Sequence, residues 1–266
     1  MATADGLVKR GDGRDRPFVL SRALFAGIQR HGAVWTGDNS ADWDHLRVSV
    51  PMVLTLGLIG ISFSGADVGG FFGNSEPELD KNTERIREAI RTRYMLLPYF
   101  YTLFREANTT GVPVVRPLWM EFPSEETTFS NDEAFMIGNS LLVQGIYAER
   151  ARHASLFLPG KELWYDTKTG VAYKGGKIYK LDVNEESVPA FQRAGTIIPR
   201  KDRFRQSSTQ MVNDPYTLKG ALIEPASQKA EIELGPLLMH SKQGPTAITI
   251  RKPNVRIADD WVIKML

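Results

Sequence analysis

"GAVWTGDN", residues 32 to 39, starts as a short apolar run suited to a buried strand and closes on Gly37, Asp38 and Asn39. Apolar residues that run into a polar terminus read as a strand whose carboxyl end can carry chemistry, provided its neighbours run parallel to it. Outward from this stretch the pattern repeats. "FVLSRA" (18 to 23) reads as a strand that reaches Arg22, "HLRVSVPMVLTLG" (45 to 57) as a helix, and "GISFSGADVGG" (60 to 70) as a buried strand that reaches Asp67. Farther on, Asn82 suits the cap of a helix whose Ile86, Ala89, Ile90 and Tyr94 share one face, and Pro98 is expected to kink or break that helix. Strand, helix, strand, helix is the order of a parallel α/β sheet or barrel.

From Val112 the texture changes. "VPVVRPLWM", "SLLVQGIY", "ASLFLPG", "LWYDTKTG" and "GTIIPR" are short apolar runs bounded by Gly, Pro, Asn and Asp at hairpin-like intervals, the reading for antiparallel β structure. The chain therefore reads as α/β followed by all-β, with a boundary near residue 111. Two segments of the last fifty residues, "EPASQKAEIELGPLL" and "TAITIRKPNVRIADDWVIKML", suggest two or three more strands.

Bulk properties narrow the function classes. At 266 residues and 42% hydrophobic content the chain can build a sizeable core. Its 33 basic and 31 acidic residues leave a net charge of +2, so no footprint for nucleic acid or an anionic membrane emerges. Cysteine is absent, which excludes disulfides, thiolate zinc sites and a cysteine nucleophile. The four histidines lack any short ligand spacing, so no metal is expected. The longest apolar stretch, "VSVPMVLTLGLIGISF" (48 to 63), is shorter than the roughly 20 residues of a membrane helix and reads as buried core. The opening residues lack the apolar run of a signal peptide.

Three polar residues fall at strand ends: Arg22, Asp38 and Asp67. Aspartates there also cap helices and turns, and an arginine there also forms an ordinary ion pair; spacing alone leaves both readings open. The functional reading is hydrolysis of a glycosidic bond, which asks for two carboxylates, about 5 to 5.5 Å apart when configuration is retained. Trp35 would supply an aromatic wall, whose desolvating effect helps an acid keep its proton. Other motifs point elsewhere less well. "GISFSG" has Ser64 where a nucleophile elbow needs its second glycine. "GADVGG" lacks dinucleotide-loop spacing, and the basic residues of "PRKDRFRQSS" (199 to 208) read as a solvated hairpin rather than a phosphate site. "NTT" at 108 to 110 is a glycosylation sequon.

Taken together, "RPFVLSRALFAG", "GAVWTGDN", "GISFSGADVGGFFGN", "PVVRPLWMEFP" and "FQRAGTIIPR" resemble glycoside hydrolase family 31, over about residues 10 to 218. The resemblance implies a (β/α)₈ barrel followed by β-sandwich-like domains. It implies a retaining exo-α-glucosidase that releases terminal glucose from oligosaccharides or N-glycans, needs no cofactor and works in the endoplasmic reticulum lumen with a regulatory β subunit. Asp38 matches the general acid/base, Arg22 an arginine that hydrogen-bonds the terminal glucose, and Trp35, Asp67 and Phe71 the lining of the same pocket. The family's nucleophilic aspartate finds no match. A full barrel takes about 250 residues, so the expectation is the C-terminal half of a barrel over 1–111, a proximal β-sandwich domain over 112–200 and a shortened distal β domain over 201–266. Two internal departures, after "EPEL" (76 to 79) and past Leu218, accompany this. On this reading independent activity is not expected, and the alternative is a non-catalytic carbohydrate-binding or interaction fragment.

Overall fold

The computed structural model describes residues 1–73, 79–184 and 187–223, with the backbone alone of three later strands and of the first turn of the helix that starts at residue 79. After an N-terminal helix, α1 (Ala2–Arg10), come three short strands, β1 (Leu20–Ser21), β2 (Ala33–Trp35) and β3 (Ser64–Gly65). They pair side by side, all parallel, with Ser21 opposite Val34 and Trp35 opposite Gly65. The expected strands are therefore present, each shorter than its apolar run. Helix α2 (Trp43–Leu58) makes the crossover from β2 to β3; Asp42 caps it by accepting from the His45 amide at 2.7 Å.

The apolar run over 48–63 does not form the expected fully buried core. Leu54, Gly57 and Ile61 are buried, yet Val48, Met52 and Leu58 are exposed. One side of α2 packs on β3 and on residues 115 to 117, and its other apolar side chains lie at the surface of the described residues. Helix α3 spans Leu79–Met95, so Asn82 lies inside it rather than capping it. Pro98 acts as expected: α3 stops at Met95, and α4 (Leu97–Thr110) begins with the proline in its first turn.

From Gly111 to Arg193 the strand pairings are antiparallel. Strand β4 (Val115–Pro117) leads into the helical turn α5 (Leu118–Glu121), so "VPVVRPLWM" is strand only over its middle three residues. Then follow β5 (Ala134–Ile137), β6 (Leu141–Gln144), β7 (His153–Leu158), β8 (Leu163–Asp166), β9 (Ala172–Lys174), β10 (Lys177–Asp182) and β11 (Ala190–Arg193). Six of them form one sheet in the order β4-β5-β6-β11-β8-β9, and β7 pairs with β10 separately. Between these sheets lies the main core, where Leu118, Met136, Leu142, Leu156, Leu158, Trp164 and Phe191 are fully buried. The indole of Trp164 donates to the Pro159 carbonyl at 2.8 Å, which satisfies its one polar group.

Strands β12 (Ile197–Arg200) and β13 (Thr217–Gly220) pair antiparallel. The basic segment between them is exposed over 203 to 206, as expected of a solvated hairpin, and is tied down on either side. Lys201 is buried and donates to the Met211 and Val212 carbonyls at 2.6 and 3.0 Å, while Arg205 forks onto the buried Asp214 at 2.9 and 2.6 Å. These hydrogen bonds from Arg205 hold the Asp214 carboxyl below the usual carboxylate range. Of the later residues, β14 (Leu237–Ser241) and β15 (Gly244–Ile248) form a hairpin, and β16 (Val262–Met265) adds to β13 in parallel. Of the two segments suggested to hold more strands, 224–238 and 246–266, residues 224–236 and 249–261 lie outside the described residues. Among those described, no helix is long and apolar enough to cross a membrane.

Candidate active site

Strands that run parallel deliver their carboxyl ends to one rim. Arg22 follows β1, Asp38 lies three residues past β2 and Asp67 two past β3, so the order β1-β2-β3 sets all three on the same edge of the sheet. Arg22 and Asp38 meet: a guanidinium nitrogen stands 3.3 Å from the Asp38 carboxylate, with the two side chains 67% and 26% exposed. An ion pair this open is worth at most about 1 kcal/mol, so stability alone is a weak reason for it. A guanidinium with most of its surface free, held beside a carboxylate, keeps its remaining donors for hydroxyl or other oxygen acceptors.

The loop that carries Asp38 is tied to the loop that carries Asp67. The Asn39 side chain donates to the Asp67 carbonyl at 3.4 Å, and the Asn39 carbonyl accepts from the amides of Phe71 and Phe72 at 2.5 and 3.1 Å. Ser40 bridges to Phe72 in parallel register, and the Ala41 amide donates to the Phe72 carbonyl at 2.8 Å. Gly70 makes this approach possible: its φ is +81°, and a Cβ there would lie 2.5 Å from the Ala41 nitrogen. On the other side the Ser40 amide donates to Nδ1 of His45 at 2.5 Å, which ties the loop to the first turn of α2.

Trp35 is half-buried at the end of β2, where Thr36 donates to the Gly65 carbonyl and continues the ladder. Phe71 is 59% exposed and packs edge-on against Phe72 with ring centroids 5.0 Å apart. The Asp67 side chain is exposed. The structure thus brings Arg22 and Asp38 into contact and sets Asp67 and Phe71 on the adjoining loop through backbone bonds. Asn39, Ser40, His45 and Gly70 are the supports that sequence reading missed. The "GADVGG" stretch carried a signal for the last, since consecutive glycines before an aromatic pair mark close backbone approach. Among the described residues, no group of three or more His, Cys, Asp or Glu is placed to hold a metal ion.

Comparison with known proteins adds an independent line. Residues 1–82 match the model described as "Glycosyl hydrolases family 31 TIM-barrel domain", and residues 111–198 the model described as "Glycosyl hydrolase family 31 C-terminal domain". A "Probable glucan 1,3-alpha-glucosidase" of Arabidopsis thaliana is 50% identical in a match that takes in 100% of this chain and 40% of the relative. That match runs over 371 positions against 266 residues, so the plant protein carries stretches inside the matched region that this chain lacks. A crystal structure of "glucosidase II alpha subunit (Glc1Man2-bound from)" superposes with a TM-score of 0.77 at 39% identity, covering 83% of this chain and 28% of that one. An "ER glucosidase II heterodimeric complex consisting of catalytic subunit and the binding domain of regulatory subunit" gives 0.77 at 38%, with the same coverage. The chain therefore spans well under half the length of the relatives it matches.

Proposed function

The chain belongs to glycoside hydrolase family 31, and from that membership we propose that its site serves retaining hydrolysis of terminal α-linked glucose. Asp38 is the general acid/base: it protonates the departing glycosidic oxygen, then takes a proton from the water that attacks the glucosyl carbon. Arg22 hydrogen-bonds hydroxyls of the terminal glucose, and Trp35, Asp67 and Phe71 line the pocket that receives it. The observation that carries this reading is the Arg22–Asp38 contact at 3.3 Å on the carboxyl rim of a parallel sheet, where barrel enzymes keep their chemistry. Retention needs a second carboxylate as nucleophile, and no residue of this sequence is proposed for it.

We extend the reading to organisation and context. Residues 1–111 are a partial (β/α)₈ barrel that holds its C-terminal half, 112–200 a proximal β-sandwich domain and 201–266 a shortened distal β domain. The substrate is a glucose-terminated oligosaccharide or N-glycan, which the Glc1Man2 and regulatory-subunit complexes of the similar structures support. The regulatory β subunit and the endoplasmic reticulum lumen belong to the same proposal. A second reading rests on the openness of the site, where Arg22 and Phe71 stay mostly exposed: a surface that binds a sugar without turning it over.

Purified chain assayed on a chromogenic α-glucoside beside Asp38→Asn separates the two. Turnover that falls at least a thousandfold in the variant supports acid/base catalysis by Asp38. Equal background in both ends the claim of independent catalysis, and glucose-dependent Trp35 fluorescence that disappears in Arg22→Ala would then carry the binding reading.

A further inference from the structure

Two basic segments far apart in sequence converge around one cavity of about 370 Å³, away from the site described above. Its floor is apolar: Ile86, Ile90 and Tyr94 recur at every fourth position of α3, a line about 12 Å long at 1.5 Å per residue, joined by Phe204 from the segment after β12. Ile86, Ile90 and Phe204 are 41%, 45% and 56% exposed in this chain. Four arginines stand around it, Arg87 and Arg91 from α3, and Arg203 and Arg205 from the opposite wall.

Among the described residues these four arginines face three carboxylates, Glu84, Glu88 and Asp214. Arg203 and Arg205 share a single carboxylate, Asp214, at 3.8 and 2.6 Å, and Arg203 is 62% exposed. Arg91 pairs with Glu88 at 3.4 Å and Arg87 with Glu84, both exposed contacts three residues apart on one helix. Such pairs contribute little and exchange partners at small cost. Arg91 also lies over the Phe204 ring, 5.2 Å from its centroid, which props the guanidinium at the groove edge.

We propose that this groove is a docking site for an acidic peptide segment of a partner protein, with aliphatic anchors on the Ile86–Ile90–Tyr94 line and carboxylates forked by Arg91 and Arg203. The line accommodates two turns of an amphipathic helix, the mode in which anchors recur at i and i+4. Guanidinium forks on both walls favour carboxylates over neutral groups, and the apolar floor favours a peptide over a bare anion. The proposal is independent of the hydrolase reading, because none of its residues belongs to the Arg22–Asp38 site.

The test is fluorescence anisotropy of the full chain with a fluorescein-labelled twelve-residue peptide bearing Leu at two positions four apart and Glu at the flanking positions. Three controls accompany it: the peptide with Gln for Glu, the peptide with Ser for Leu, and citrate as competitor. The expected result is saturable binding that weakens as salt rises, falls at least tenfold in Arg91→Glu/Arg203→Glu and in Ile90→Asp, and is lost with the Gln peptide. Unchanged thermal melting of these variants, whose altered side chains are exposed, shows that the loss is local. Absence of binding, equal affinity for the Gln peptide, or wild-type affinity in the arginine double variant would overturn the proposal. Binding that survives Ser for Leu, with citrate displacing the peptide at similar concentration, would reduce the groove to an anion site and overturn it as well.

Discussion

The parallel segment around residues 18–73 and the antiparallel body that follows Gly111 differ most in what they bury. In the body Leu118, Met136, Leu142, Trp164 and Phe191 have no measurable exposure, and two sheets enclose them. In the parallel segment Ala33, Val34, Leu54 and Ile61 are buried, while Phe18, Leu20, Phe25, Phe63 and Val68 face outward. Parallel sheets are ordinarily covered on both faces; among the described residues, a chain of half-exposed rings from Phe18 through Phe63 to Phe104 links this one to α4. The candidate chemistry therefore sits on the weakly packed part, and the strongly packed part supplies the anchor.

The two meet at α2, whose Arg47 pairs with Glu133 at 3.0 Å, and at helix α4. It precedes Gly111 in sequence, yet Tyr99 and Leu103 pack into the body with Val114, Leu141 and Ile198. The Tyr99 hydroxyl donates to the Ile137 carbonyl at 2.7 Å, and burial pushes its pKa up to about 12, so it remains a donor at every pH of interest. Arg116 of β4 fastens the same helix, reaching Glu106 at 2.9 Å and Glu121 of α5 at 2.7 Å from a buried position.

If the body holds most of the stability, Trp164→Ala should be the most damaging change considered, costing about 3–5 kcal/mol; guanidinium denaturation followed by far-UV circular dichroism measures it. Removing the fastening side chain by Arg116→Ala strands two carboxylates, one of them only 16% exposed. A loss of about 3 kcal/mol is expected from a broken pair of this kind, and the same denaturation reads it. Gly138→Ala sharpens the contrast at the junction. Its φ is +59°, and a Cβ there would lie 2.4 Å from the Tyr99 hydroxyl, so a cost of about 1–3 kcal/mol is expected, with faster amide exchange confined to α4. Phe71→Ser, on the exposed rim, should change stability by less than about 0.5 kcal/mol and weaken glucose binding in a titration. A large loss of stability there would erase the distinction between the two parts.

The order of elements was legible because it is written in local pattern. Apolar runs ended by Arg22, Asp38 and Asp67 announced parallel strands, and Pro98 announced the break between α3 and α4. Elements that depend on contact misled. Apolar side chains of α2 read as core because hydropathy records what a residue prefers and not whether a neighbour is there to cover it. The 199–208 segment is solvated over 203 to 206 as read, but nothing local to Arg205 reveals that Asp214 will be buried beside it.

Of the candidate site, the residue types and their strand-end positions came from sequence, and the family motifs assigned their roles. Sequence alone determined which side chains could do chemistry and that parallel strands would deliver them to one rim. Only tertiary structure decided that Arg22 and Asp38 touch, that Asn39 and Gly70 lock the two loops together, and that α4 belongs by packing to the body. The physical reason is range: propensity and periodicity act over a few residues, whereas a hydrogen bond, an ion pair or a buried ring exists only when chain segments far apart in sequence arrive within a few ångströms of each other.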